Sequence, residues 1–562
     1  MVEDEQKRKE LTLYEMLLSG AKDKSAPVFL YKKKTVSYRD FLYLVDRTAA
    51  ALIRAGVNYG DVVVIALPNL PKAAALLYAI NKIGAVVYLN HVLDTPAQIE
   101  KSVQKTDAKI LFALDTSIQK FSGFCRKNKV RLISCCPTDE LGAMVRFIYR
   151  RREKLTKERT DGAEDFNAFI RGAEIKVSDA RRKNPFETSV LLNSGGTTGD
   201  PKTVEYSAAA INAECIALPN LVGKSSYLRT YMMSPLPIFH CFGLLIGLHV
   251  IITVGGCNVF MPRFSRKDSI FYLKKGKINF MLGVPAVYDA LLSCAEFNGE
   301  ILKGVEIAFI GGDFVRQATR TEFDRRMKAA GSLGKLCEGY GLSETLSVVC
   351  VNSYANYRDG SVGKPLEGAR IQAVRTVEAD AYLQSASKDW RAAFPKLPAD
   401  AVLGELCVAG NMLMNGYYKD APATEAVFFY DTSGTRWLKT GDIGAVDAEG
   451  FVYFLGRIKQ IIKVSGESIF PIEIEALART VAGVHDCAAF GIPDVRTGSQ
   501  VFLAVEPKAN TDTELLRAEL QLILTAALQK NALPKEIVFY ERLPKTKMQK
   551  TDVGQLVADN ET

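Results

Sequence analysis

Ser194-Gly195-Gly196-Thr197-Thr198-Gly199-Asp200-Pro201-Lys202 packs three glycines, two threonines and a lysine between two runs of largely apolar residues. Glycine lets backbone N–H groups turn toward an anion, and the hydroxyls of Ser194, Thr197 and Thr198 with the Lys202 ammonium add donors that can follow phosphate oxygens. A kinase-like P-loop requires Lys-Ser/Thr directly after its last glycine, whereas Gly199 precedes Asp200 and Pro201, so that class is disfavoured. The flanks, Ser189 to Leu192 and Thr203 to Tyr206, both read as strands. The loop is therefore expected to join two strands, with no helix N-terminus needed for the anion. A glycine and threonine loop is by itself also an ordinary hairpin turn.

Working outward, further motifs follow in a fixed order: Phe309-Ile310-Gly311-Gly312-Asp313, Gly339-Tyr340-Gly341-Leu342-Ser343-Glu344-Thr345, Lys439-Thr440-Gly441-Asp442, Gly456-Arg457, Lys463 to Gly466, and Pro544-Lys545-Thr546-Lys547-Met548-Gln549-Lys550. Together they resemble the adenylate-forming superfamily of acyl-CoA synthetases, luciferases and peptide-synthetase adenylation domains. The resemblance runs from about Thr35 to the C-terminus.

Composition fits an intracellular enzyme. The 562 residues, 48% hydrophobic and 24% charged, suffice for more than one core. Its 11 cysteines are scattered, with no Cys-x-x-Cys pair, which disfavours a disulfide framework or structural zinc and points to a reducing cytosol. Met1 to Glu10 is charged and offers no secretory signal. The apolar run Cys241 to Cys257 is short for a bilayer span, so a buried element is expected and no transmembrane helix. A net charge of +9, with bases interleaved among acids, does not imply nucleic acid. One segment departs from that mixing: residues 144–159 carry Arg146, Arg150, Arg151, Arg152, Lys154, Lys157 and Arg159 beside Met144, Phe147, Ile148, Tyr149 and Leu155. It fits peripheral contact with an acidic membrane surface, and also, as the plainer reading, a solvated helix in an insertion.

Strands such as Asp61 to Leu67, Ala85 to Leu89 and Lys109 to Ala113 alternate with helices such as Pro71 to Ile83 and Thr95 to Gln104. That is the pattern of wound α/β sheets with sites at strand ends. After Arg457 it changes to a small α+β block: helix Pro471 to Thr480, strands near Cys487 to Gly491 and Val501 to Val505, helix Asp512 to Gln529, strand Ile537 to Tyr540. The expected fold is α/β, a large multi-subdomain adenylation domain over residues 1–456 and a small mobile domain over 457–562. The resemblance puts the hinge at Lys459.

The chemistry follows from what a carboxylate and ATP require. An acid cannot acylate a thiol at neutral pH because oxide is a poor leaving group; an acyl-adenylate offers AMP instead, and attack at the α-phosphate calls for a metal and fixed cations. The resemblance assigns Glu344 to Mg²⁺, Ser343 to the α-phosphate, Tyr340 with Gly341 to adenine, Gly312 and Asp313 to the other adenine wall, and Asp442 to the ribose hydroxyls, assisted by Arg457. It assigns Lys550 to the carboxylate and α-phosphate during adenylation. Lys463 to Gly466 would approach the CoA site after the small domain rotates. Ser343 stands where the family usually has Thr, Gln549 where Gly precedes the lysine, and Gln460 where an acid is common.

Pro237-Ile238-Phe239-His240-Cys241-Phe242-Gly243 lacks the aspartate with which peptide synthetases hold an amino group. The Phe239-His240 pair resembles acyl- and aryl-CoA ligases, in which the histidine borders the carboxylate. Gly341, Gly283, Val284 and Leu346 are expected to leave room for an alkyl chain. The sequence thus points to a Mg²⁺- and ATP-dependent ligase of medium- or long-chain fatty acids with CoA as acceptor. An acyl carrier protein as acceptor and a non-catalytic nucleotide-binding relative remain as alternatives.

Overall fold

The computed structural model describes residues 8, 10–141, 143–153, 162–174, 182–194, 201–222, 226–313, 315–353, 356–377, 379–380, 396–465, 467–546 and 550–561. Two large sheets form its body. One is eight-stranded, with Val62–Ala66 at its centre between Val86–Leu89 and Ile110–Leu114, both parallel to it, and Thr188–Asn193 parallel to Val86–Leu89 beyond; Thr203–Ser207 and Gly416–Tyr417 close one edge antiparallel. The other is nine-stranded, and its parallel centre runs Lys335–Tyr340, Ile307–Gly311, Phe280–Gly283, Tyr231–Ser234 and Cys257–Phe260. Doubly wound sheets were the expectation, and the strand and helix positions read from sequence agree with the structure within a few residues.

The sheets share one core because the helices between them are apolar on more than one side. Helix Pro71–Lys82 begins on a proline at its first turn and is buried almost throughout, as an all-round apolar helix must be. Its Lys72 escapes an uncompensated burial by donating to the Cys136 carbonyl at 2.9 Å and to Asp139 at 2.6 Å. The run expected to be a buried element is one: Cys241–Leu244 continues through a π-helical stretch, Leu245–Val250, into Ile251–Thr253, all buried. His249 there is a core histidine, held by the Tyr78 hydroxyl at 2.7 Å and Asn212 at 3.1 Å.

A third, antiparallel sheet of five strands carries Val402–Gly410, Arg436–Val446 and Val452–Arg457. Beyond it, hairpin Ile462–Val464 with Glu467–Ile469 leads to the small block. There Val484–Asp494, Gly498–Pro507 and Glu536–Phe539 form a three-stranded sheet. Helices Pro471–Ala478 and Thr513–Ala527 cover one face through Ile474, Leu516 and Leu520; helix Val553–Asn560 covers the other through Leu556. The long hairpin exceeds the strands expected from sequence because its outer ends carry polar residues that alternate poorly.

Candidate active site

The phosphate-type loop does join two antiparallel strands, with Asn193 opposite Thr203. Its base is closed by the Ser194 N–H donating to the Lys202 carbonyl at 2.7 Å and the Lys202 N–H to Ser194 Oγ at 3.2 Å. Gly195, Gly196, Thr197, Thr198 and Gly199 lie outside the described residues. Lys202 extends over the Tyr417 ring, 4.4 Å from its centre. The Tyr417 hydroxyl in turn donates to Glu344 Oε1 at 2.8 Å, while the Tyr206 hydroxyl donates to the Ser343 carbonyl at 2.7 Å. Loop base, Lys202, Ser343 and Glu344 are thus one cluster, tied by two tyrosines that sequence reasoning missed. No sequence signal could pair residues 344 and 417, which only the edge strand Gly416–Tyr417 brings together.

A carboxylate with one oxygen engaged by Tyr417 keeps the other for a hard cation. Among the described residues no group of three His, Cys, Asp or Glu side chains could hold a metal. One carboxylate supplemented by substrate phosphates is how Mg²⁺ is ordinarily held, so the donor set fits that ion.

At the other end, Asp442 is buried in the strand Arg436–Val446, opposite Arg457 in the ladder. The Tyr340 hydroxyl donates to its Oδ2 at 2.8 Å. Arg457 Nε stands 3.1 Å from Oδ1 without hydrogen-bond alignment, which leaves that oxygen able to accept from a hydroxyl. Burial raises the Asp442 carboxyl above its ordinary value, opposed by Arg457, the Tyr340 hydrogen bond and Lys550. Asp442 is presented by a bend at Gly441, whose φ of +72° suits glycine and whose N–H donates to buried Glu405 at 2.9 Å. Glu405 was also missed: it lies on the neighbouring strand and is linked to the motif only by the ladder.

His240 caps the helix Cys241–Leu244, its Nδ1 accepting the Phe242 N–H at 3.3 Å. Burial, and then the charge of Lys550, push its pKa down to about 4. The ring is therefore neutral at pH 7, and with Nδ1 accepting, the proton resides on Nε2. It can donate one hydrogen bond to an anionic or carbonyl oxygen. Lys550 comes from the small block, at the base of a hairpin in which the Thr546 N–H donates to the Lys550 carbonyl at 2.7 Å. Burial and then Arg457 lower its pKa, against Asp313, Cys241 and Asp442, which raise it. Lys550 is thus within electrostatic reach of His240, Asp313 and Asp442. Lys545 is engaged elsewhere, with Asp486 at 3.2 Å and Thr551 at 2.9 Å, and Lys547 and Gln549 lie outside the described residues.

Gly312 follows the strand Ile307–Gly311 in a left-handed conformation, φ +86°, with Asp313 exposed beside it. Lys459 sits exposed in a single helical turn, Ile458–Gln460, after Arg457. Lys463 is exposed on the following hairpin, and Gly466 lies outside the described residues.

One expectation is corrected. Gly341 and Gly283 do not open space for an alkyl chain, because a Cβ on Gly341 would meet the Ser347 carbonyl at 1.9 Å and one on Gly283 would meet Val287 at 2.9 Å. These glycines serve close packing. Leu346 is fully buried, with φ +68°. Among the described residues, two small apolar cavities adjoin one another elsewhere. One cavity is walled by Phe242, Ile246, Phe309, Gly339 and Val348. A second, sharing Ile246 and Phe309, continues between Leu218, Val222, Tyr227 and Val250.

The base of a glycine-rich loop beside a carboxylate, a buried aspartate with one oxygen open, and a lysine of the small C-terminal block whose charge reaches a neutral histidine fit a nucleotide-dependent, acid-activating ligase. The chain belongs to the AMP-binding enzyme family, whose profile matches residues 18–418, with the family's C-terminal domain over 473–550. It is an AMP-forming ligase joining acids to CoA through an adenylate. It is 27% identical over 536 residues to a long-chain-fatty-acid–CoA ligase of Bacillus subtilis (strain 168), covering 93% of this chain and 90% of the relative. It is 24% identical over 533 residues to 4-coumarate–CoA ligase 1 of Solanum tuberosum, covering 94% and 86%. Among solved structures its fold is similar to ATP-bound MatB from Rhodopseudomonas palustris, with TM-score 0.80, 20% identity and coverage of 98% and 99%.

Proposed function

We propose that the protein activates a medium- or long-chain fatty acid with ATP and transfers the acyl group to CoA, giving acyl-CoA, AMP and pyrophosphate. The observation that carries the substrate class is the likeness, over nearly the whole chain, to long-chain-fatty-acid–CoA ligases. Two small adjoining cavities, running from Phe242 past Ile246 and Phe309 to Val250 with no charged side chain in their walls, add apolar surface of the kind an alkyl tail uses.

In this reading His240 Nε2–H and Lys550 hold the acid's carboxylate at the α-phosphorus, where an O–P bond forms and the bond to pyrophosphate breaks. Lys550 supplies positive charge where negative charge grows in that step. Ser194, Gly195, Gly196, Thr197, Thr198, Gly199 and Lys202 grip the phosphates, joined by the Ser343 hydroxyl. Glu344 would hold Mg²⁺, which supplies Lewis-acid charge at phosphate oxygens. Asp442, with Arg457, accepts the ribose hydroxyls, and Tyr340, Gly341, Gly312 and Asp313 flank the base. In the second half-reaction a CoA sulfur–carbon bond forms and the acyl–AMP bond breaks. Residues 457–562 turn about Lys459, withdraw Lys550 and present Lys463 to Gly466. The 11 free cysteines suit work in a reducing compartment.

The test is a panel of straight-chain acids, benzoate and coumarate scored for AMP and acyl-CoA. Fatty acids of intermediate or greater length should give the highest kcat/KM. Faster turnover of the aromatic acids would refute the substrate assignment.

A further inference from the structure

The helix Ala143–Arg152 is amphipathic with its faces reversed. Arg146 and Tyr149 point inward and are consumed by the protein: Arg146 reaches Asp139 at 3.1 Å and Asp165 at 2.8 Å, and the Tyr149 hydroxyl donates to Asp115 at 2.9 Å. Met144, Phe147 and Ile148, spaced to share one face, turn outward at 73%, 63% and 58% exposure, with Val145 at 41% beside them. A solvated helix would show the opposite arrangement, since full exposure of these side chains forgoes roughly 1.5–3 kcal/mol of burial each. The last turn adds Arg150, Arg151 and Arg152, all exposed. No ion pair among the described residues engages these three arginines, whereas Arg146 is doubly paired.

We propose that this helix is a docking surface for an anionic lipid bilayer, with Met144, Phe147 and Ile148 entering the interface and Arg150, Arg151 and Arg152 lying among acidic headgroups. Three features select that occupant. The inward ion pairs with Asp139 and Asp165 fix the helix to the body, so the apolar face is presented without any rearrangement. Adjacent apolar and cationic groups match the boundary between acyl chains and charged headgroups. A second copy of this chain is a poor occupant, because it would bring another positively charged molecule and another triple-arginine end to the same place. No helix among the described residues is long and apolar enough to cross a membrane, so the contact is peripheral.

The test is co-sedimentation of the whole enzyme with vesicles of equal parts phosphatidylglycerol and phosphatidylcholine, and with phosphatidylcholine alone. The wild type should sediment with the anionic vesicles only, and raising salt from about 0.05 to about 0.5 M should release it. R150E/R151E/R152E should lower the partition coefficient by at least roughly 100-fold, and F147S/I148S by roughly tenfold or more. Both variants should keep wild-type thermal stability and wild-type pyrophosphate exchange in the absence of lipid. The salt response of the wild type tests the proposal even if a variant folds poorly. Absence of binding, equal binding to neutral vesicles, or unchanged binding by both variants would overturn it. So would a concentration-dependent dimer that F147S/I148S abolishes, which would make the face a self-association surface.

Discussion

Glu214 lies on the helix Ala208–Val222, fully buried, and holds the chain just after the Glu344 motif: its Oε1 accepts the Val348 N–H at 3.2 Å while Oε2 has no partner. Burial, only partly relieved by that bond and by Ser347, pushes its carboxyl up from 4.5 to about 8. A raised carboxyl means the native state binds a proton that the unfolded chain releases. The associated stability is complete below pH 4.5, shrinks as pH rises, and is lost once pH passes about 8. At about 1.4 kcal/mol per pH unit, the interval from 4.5 to about 8 amounts to on the order of 4–5 kcal/mol. An entropy of unfolding of about 2.1 cal/mol/K per residue, over a body of roughly 450 residues, converts this to about 5 °C in melting temperature. Glu214→Gln keeps the shape and an acceptor for Val348 but cannot ionise. The variant should therefore gain about 4 °C on the wild type between pH 5 and pH 8.5, since part of the effect is already spent at pH 5, whatever their order there. Differential scanning fluorimetry at half-unit steps reads the gap. Parallel curves across that range would mean that Glu214 is solvated or otherwise compensated, and would refute the reasoning.

Lys550→Ala should slow adenylate formation by roughly 100- to 1000-fold while transfer from supplied acyl-adenylate to CoA survives. Lys459→Pro, which stiffens the hinge, should show the opposite pattern; separate pyrophosphate-exchange and transfer assays decide, and equal loss of both in each variant would count against alternating domain positions. Glu344→Gln should raise the Mg²⁺ concentration needed for half-maximal exchange, and Tyr417→Phe, which frees Glu344 Oε1, should shift it by about fivefold; titration of Mg²⁺ at fixed ATP measures both. Between pH 5.5 and 8 the rate should show no limb from His240, whose pKa is held at about 4; a limb near 6.5 that His240→Asn abolishes would contradict the neutral ring. Ile246→Phe, at the junction of the two apolar cavities, should depress kcat/KM for long acids more than for short ones, read from the same acid panel.

Much of the large body was legible because its local signals agree. Strands of β-branched residues such as Val62–Ala66 alternate with helices opened by Pro71 or capped by Thr95, and each pattern reads within one window of sequence. The candidate site residues were legible for a different reason: Asp442, Glu344 and Lys550 sit in short motifs of fixed order and spacing, which stand out in one dimension. Tertiary structure alone decided the support around them. Tyr417 reaches Glu344 across 73 positions, Tyr340 reaches Asp442 across 102, and Tyr206 reaches the Ser343 carbonyl across 137. The role of the glycines was decided there too, since Gly341 looks permissive in sequence and is crowded by Ser347 in space. Likewise the charge run after Met144 gives no hint of which helix face the protein consumes; Asp115, Asp139 and Asp165 settle it from three separate segments. Sequence encodes periodicity and local chemistry directly, whereas a hydrogen bond or a cavity wall between distant segments exists only once packing has fixed their separation.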